Sequence, residues 1–201
     1  MNVAQVMQTS PVIPVLVIEN AAYARPIAEA LVAGGLRVLE VTLRTAAALE
    51  VIAEMVKVEG AIVGAGTVLN EADLRASIDA GAQFIVSPGL TEPLGKAAIA
   101  SGIPFLPGTA NAGDIMRGLD MGLTHFKFFP AEAAGGIKAL KSLAGPFGQA
   151  RFCPTGGITL ASAPEWLALE AVLCVGGSWI VPAGAPDVAA ITAAAKAASA
   201  R

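Results

Sequence analysis

AAYARPIAEALVAGGLRVLEVTLRTAAALEVIAEMVKVEGAIVGA, residues 21–65, decides the fold. An alanine-rich segment with helical spacing, 21–33, runs through Gly34-Gly35 into an apolar run at 36–42. The order then repeats, with helical spacing over 46–56, Gly60, and a second apolar run at 61–65. Glycine past a helix end takes the left-handed cap conformation at little steric cost. Strand, helix, strand in this order implies right-handed crossovers and a parallel sheet.

The pattern extends to both ends of the chain. Further apolar runs lie at 12–18, 82–86, 103–106, 123–129, 150–153 and 171–175, with helical patterns at 71–80, 93–100 and 135–143 between them and 186–200 after the last. Gly81, Gly102 and Gly122 again precede strands. Eight βα units in 201 residues fit a compact α/β fold, the (β/α)8 TIM barrel. The expected organisation is a single domain over 1–201, with a short N-terminal extension before the first strand. An open doubly wound sheet is the alternative.

The chain is 55% hydrophobic and 14% charged, which suits fully buried parallel strands. Its net charge of −3 and lack of Lys/Arg runs give no support for a nucleic-acid or membrane-surface partner. Residues 1–18 carry no charge, yet Gln5, Gln8, Thr9, Ser10, Pro11 and Pro14 interrupt them and no basic residues precede an apolar core. They read as neither a signal peptide nor a spanning helix, so a soluble, cytoplasmic protein is expected. Two cysteines, Cys153 and Cys174, and a single histidine, His125, offer no zinc-like spacing. Buried, reduced thiols and no metal site are the expectation.

In a barrel the active site lies at the C-terminal ends of the strands. Polar residues gather there: Glu40, Thr42 and Arg44; Thr67; Ser87-Pro88; Lys127; Thr155-Gly156-Gly157; and Gly176-Gly177-Ser178. Lys127 lies within THFKFFP, residues 124–130, where its ammonium loses hydration. Burial disfavours the charged amine, which is the usual way to make a lysine that attacks carbonyls to form a Schiff base. The alternative is a lysine that reaches solvent or pairs with a carboxylate. In VLEVTLR, residues 38–44, strict alternation puts Leu39, Val41 and Leu43 on one face and Glu40, Thr42 and Arg44 on the other. That reads either as a local Glu40–Arg44 ion pair or as an acid/base beside an arginine that grips a substrate carboxylate.

Gly156-Gly157 and Gly176-Gly177-Ser178 fall after strands seven and eight, where barrels often hold phosphate. Glycine lets backbone N–H groups approach an anion, and Ser178 adds a hydroxyl. Gly64-Ala65-Gly66-Thr67-Val68-Leu69 is not a dinucleotide fingerprint, because Leu69 replaces its third glycine, and Gly95-Lys96 lacks the spacing of a P-loop. His125 reads as structural.

Together LEVTLRT (39–45), VGAGTVL (63–69), VSPG (86–89), FKFFPAE (126–132), CPTGGI (153–158) and GGSW (176–179) closely resemble the 2-keto-3-deoxy-6-phosphogluconate aldolases. The resemblance implies a (β/α)8 homotrimer and a class I aldolase of the Entner–Doudoroff pathway, needing neither cofactor nor metal. Its substrate would be a phosphorylated keto acid, cleaved to pyruvate and glyceraldehyde 3-phosphate. By position, Lys127 would be the Schiff-base lysine and Glu40 the acid/base. Arg44, Thr67 and Pro88 would line the pyruvate end with Phe129 nearby, and Thr155, Gly156, Gly157 and Ser178 would hold the phosphate. The related phosphogalactonate aldolases usually carry arginine where this chain has Val17, which favours the gluconate substrate over 2-dehydro-3-deoxy-6-phosphogalactonate; 4-hydroxy-2-oxoglutarate is a further alternative. Outside this class stand a phosphate-binding barrel isomerase that uses Glu40 without a covalent lysine, and a non-catalytic sugar-phosphate binder.

Overall fold

Nine strands, all paired in parallel, form the centre of the computed structural model, which describes residues 1–200. They are β1 (Val12–Leu16), β2 (Val38–Thr42), β3 (Ile62–Gly66), β4 (Phe84–Val86), β5 (Phe105–Leu106), β6 (Gly108–Thr109), β7 (His125–Phe128), β8 (Arg151–Pro154) and β9 (Val175–Gly177). One curled sheet runs β5-β4-β3-β2-β1-β9 and a second runs β6-β7-β8. The extra strand arises at Pro107, which has no N–H to donate and divides one extended segment in two. β5 pairs back with β4, and β6 pairs forward with β7.

Helices lie between the strands: α1 (Val3–Thr9), α2 (Ala24–Ala33, after a 3-10 turn at Ala21–Tyr23), α3 (Ala48–Met55), α4 (Glu71–Asp79), α5 (Glu92–Ser101), α6 (Ala112–Asp120), α7 (Gly136–Ala144), α8 (Ala163–Leu167) and α9 (Val188–Ser199). Gly35, Gly60, Gly81, Gly102 and Gly122 hold φ between 73° and 95°, the left-handed values expected before each strand. Among the described residues, no helix is long and apolar enough to cross a membrane.

Strand alternation creates two apolar layers. Leu39, Val41, Val63, Ala65 and Ile85 face the helices, while Ile13, Val38, Phe84, Val86, Leu106, Cys153 and Cys174 form a smaller inner cluster. Val6 and Met7 of α1 also belong to this inner cluster, packed with Val38 and Ile62 at the starts of β2 and β3. Burying two such side chains contributes about 1.5–3 kcal/mol each. The N-terminal extension is therefore a plug, started by a reciprocal cap between Asn2 and Gln5. With that end filled, the C-terminal ends of the strands are left to form a cavity.

Two sequence expectations are corrected. The last apolar run, 171–175, contributes one residue to a strand, since β9 starts at Val175 and includes Gly176 and Gly177. Those glycines are strand residues rather than loop residues. β2 ends at Thr42, so Leu43 and Arg44 lie in the following turn and the alternating face stops at Thr42.

Candidate active site

Lys127 projects from the middle of β7, and its Nζ donates a hydrogen bond to Glu40 Oε1 at 3.0 Å. Their side chains are 7% and 4% exposed. Every other lysine is exposed, two of them in short-range helix-surface pairs with Glu54 and Glu92. A buried ion pair is kept only where geometry and further contacts compensate its lost hydration. Here the Phe129 ring adds a face whose centre lies 5.2 Å from Nζ.

Glu40 fits because its neighbour on β3 has no side chain. A Cβ at Gly66 would lie 2.3 Å from Glu40 Oε1. Thr42, next on the same inward face, donates its hydroxyl to Leu16 O at 2.9 Å and so ties β2 to the end of β1. Arg44 is exposed and makes no hydrogen bond or ion pair within the described residues. The local Glu40–Arg44 ion pair is therefore absent, and the carboxylate faces Lys127 instead.

Beyond β3 the chain turns through Thr67 at φ 60°, the only non-glycine left-handed residue described. For a β-branched residue this conformation is strained by about 1–3 kcal/mol and is often found at functional sites. Pro88 is held in its turn by Ser87 Oγ, which donates to Gly89 O at 2.6 Å. Gly108 of β6 lets that turn approach, since a Cβ there would lie 2.1 Å from Pro88 O.

On the far side, Thr155 N donates to Phe128 O at 2.9 Å, and Ala131 N donates to Thr155 O at 2.8 Å. The loops after β7 and β8 thus continue the strand pairing. Gly156 and Gly157 follow with φ of 105° and 81°, values that glycine adopts freely. The N–H groups of Gly157, Ile158 and Ser178 donate to no acceptor among the described residues. Gly176 and Gly177 are glycine for another reason, because a Cβ on either would lie 2.2 Å from Thr155 Oγ1 or from the Trp179 ring.

One cavity of about 330 Å³ is lined by Glu40, Arg44, Thr67, Pro88, Lys127, Phe129, Thr155, Gly156, Gly157 and Ser178, the ten residues to which the family resemblance gives roles, whereas Ser87 and Gly177 do not line it. Val15, Thr42, Ile158 and Gly176 complete its wall. Thr42 was on the face legible from alternation; Val15 carries no chemical signal and is found only through the fold. A larger cavity, about 540 Å³, adjoins through Val15 and Ser178 and has Val17 in its wall.

His125 does not enter the cavity. It begins β7, two residues short of Lys127, with Thr124 Oγ1 3.1 Å from its Nδ1. Burial first, then the nearby Arg151 charge, pushes its imidazole below the usual histidine range. Cys153 and Cys174 are buried and unbridged. The Cys174 thiol is pushed well up by its contact with Cys153, then by burial and by the Glu40 charge. Cys174 is therefore not a ready nucleophile.

A profile of the KDPG and KHG aldolase family matches residues 3–194. The chain is 64% identical over 199 residues to the 2-dehydro-3-deoxy-phosphogluconate aldolase of Zymomonas mobilis, covering 99% of this chain and 96% of that one. A crystal structure of the Zymomonas mobilis ZM4 enzyme with 3-phosphoglycerate superposes with a TM-score of 0.97 over 98% of this chain and 95% of that one, at 64% identity. The KDPG aldolase of Legionella pneumophila, with pyruvate captured at low pH as a covalent carbinolamine, is 46% identical with a TM-score of 0.96, covering 100% of this chain and 99% of that one. By profile, by sequence and by structure, this chain belongs to the KDPG and KHG aldolase family.

Proposed function

We propose that Lys127 and Glu40 are the catalytic pair of this aldehyde-lyase, which cleaves 2-dehydro-3-deoxy-6-phosphogluconate to pyruvate and glyceraldehyde 3-phosphate. The observation that carries the reading is the buried 3.0 Å contact between a lysine amine and a carboxylate at the floor of a cavity. Glu40 is the nearest group able to take the proton that the ammonium must lose before it attacks.

The free Lys127 amine adds to the C2 ketone, and loss of water gives an iminium. The iminium draws the electrons of the C3–C4 bond while Glu40, directly or through water, takes the C4 hydroxyl proton. Glyceraldehyde 3-phosphate leaves, and the remaining enamine is protonated at C3 and hydrolysed to pyruvate. The protonated imine is itself the electron sink. Arg44, with no partner among the described residues, is free to grip the keto-acid carboxylate in two-pronged fashion. Thr67 and Pro88 wall that end, and Phe129 packs over the amine. Thr155, Gly156, Gly157 and Ser178 take the phosphate end through backbone N–H groups and a hydroxyl.

The two sheets are further read as one closed (β/α)8 barrel. β5 and β6 flank Pro107, and isolated parallel bridges, Phe152 with Val172 and Thr155 with Gly176, run from β8 to the β9 segment. Family resemblance supports a homotrimer in the cytoplasm, with light scattering of the purified protein as its check on assembly.

Borohydride reduction in the presence of pyruvate tests the catalytic reading. One pyruvate-derived mass should appear on the peptide containing Lys127. Label on another lysine, or none, removes Lys127 from the mechanism.

A further inference from the structure

Glu132 lies just past β7 and has no place in the chemistry above, yet it joins three elements around the cavity's far end. Its backbone N–H donates to Gly156 O at 3.1 Å. Its side-chain stem fills the space beneath Gly157, where a Cβ would come within 2.6 Å of Glu132 Cγ and 2.8 Å of Cβ. Its Oε1 accepts the indole N–H of Trp166 at 3.2 Å.

Trp166 is fully buried on the short helix α8, and its ring packs against Phe128 with centroids 6.3 Å apart. Phe128 is the residue next to Lys127. Among the described residues the Glu132 carboxylate is the only acceptor for that buried indole N–H, and a buried donor without a partner is strongly disfavoured. A carboxylate beside an anion site would ordinarily weaken anion binding by like-charge repulsion. Its presence there therefore calls for a compensating task, and the Trp166 contact supplies one.

We propose that Glu132 is a positioning residue that fixes the Gly156–Gly157 loop at a set distance from Lys127, using its oxygen as an acceptor rather than its charge. The proposal rests on the reading of that loop as the phosphate end of the cavity. The loop's backbone is held by the Glu132 N–H, supported from below by its stem, and locked by the indole. Displacing the loop moves the phosphate donors relative to the amine, and misplacements of this kind are felt in the transition state.

Three variants test it: Glu132→Ala, Glu132→Gln and Trp166→Phe, each first checked for native far-UV circular dichroism. Glu132→Ala should lower kcat/KM on the phosphorylated substrate by roughly tenfold to a hundredfold, the range for losing a hydrogen bond to a charged group. Pyruvate trapping by borohydride should change less than twofold, since it involves only the Lys127 end. Glu132→Gln keeps an acceptor oxygen and should restore kcat/KM to within about threefold of wild type. Trp166→Phe keeps an aromatic ring against Phe128 and should share the phosphate-specific loss. Equal losses in cleavage and in trapping would overturn the proposal in favour of a general packing role. A Glu132→Gln variant as poor as Glu132→Ala would overturn the acceptor role in favour of charge. The underlying loop assignment fails separately, if the wild-type enzyme itself handles the dephosphorylated substrate as well as the phosphorylated one.

Discussion

Lys127 Nζ meets Glu40 Oε1 at 3.0 Å across 87 residues of chain, and neither side chain is more than 7% exposed. Removing one partner of such a pair leaves the other charge buried alone. Replacing both by apolar groups of similar volume is often neutral or stabilising. Lys127→Met should therefore destabilise the fold, by up to about 3–5 kcal/mol. Lys127→Met combined with Glu40→Leu should recover most of that loss while remaining inactive. Urea unfolding at fixed pH checks this, and a double variant no more stable than the single one would mean the pair is well solvated.

Glu40→Gln keeps the shape of the side chain but removes the base, and loss of a general acid/base typically lowers the rate ~10²–10⁴-fold. The variant should still be trapped on Lys127 by pyruvate and borohydride, more slowly. Gly66→Ala approaches the same group from behind, since its Cβ would lie 2.3 Å from Glu40 Oε1. It should depress kcat by displacing Glu40, with both catalytic side chains still present. Steady-state cleavage and pyruvate proton exchange measure both variants, and near-normal exchange in Glu40→Gln would remove Glu40 from the proton transfers.

The strands were legible because each is a short apolar run and most follow a glycine, and Lys127 was legible because it breaks one such run. The plug formed by α1 was not. Gln5, Gln8 and Thr9 mark an exposed side opposite Val6 and Met7, but a helix of seven residues is too short for that spacing to show what the apolar side packs against. β9 lies later than its apolar run suggests because side-chain pattern gives no strand signal at glycine. At Gly176 and Gly177 the volume is supplied by Thr155 and Trp179 from elsewhere in the chain. Arg44 was assigned to a strand face by extending an alternation past its end, and the partner taken by Glu40 came from β7, which no local pattern encodes. Glu132 stood within a quoted motif, but its link to Trp166 spans 34 residues and appears only in the fold.

His125 offers a pH signature. Its folded-state imidazole is pushed below the usual histidine range, mainly by burial. The unfolded chain therefore binds a proton more readily than the folded one as pH falls through ~6.5. Its contribution to stability is complete above that pH and is lost progressively below it. Wild type should lose stability between about pH 7 and pH 5 more steeply than His125→Gln. Parallel curves from denaturant melts across that range would assign the acid sensitivity to other groups. Because the ring is half-buried, the difference should be modest, and cleavage at neutral pH should be little changed.

Ser178 stands exposed at the rim, where the 330 Å³ cavity meets its larger neighbour, with its N–H and those of Gly157 and Ile158 lacking acceptors among the described residues. If these groups bind the phosphate, part of its binding energy serves to place the C3–C4 bond over Lys127. Ser178→Ala removes one hydrogen bond to a charged group, worth ~1.5–3 kcal/mol, or roughly tenfold to a hundredfold in kcat/KM. The loss should fall on the phosphorylated substrate and spare its dephosphorylated analogue and pyruvate trapping. Gly157→Ala should do more harm, by a different route. At φ 81° a Cβ is strained, and it would meet Glu132 Cγ at 2.6 Å, so the loop itself must shift. Its damage should therefore appear in thermal stability as well as in kcat/KM, whereas Ser178→Ala should leave the melting temperature unchanged. Equal losses on phosphorylated and dephosphorylated substrates in Ser178→Ala would place the phosphate elsewhere on the rim.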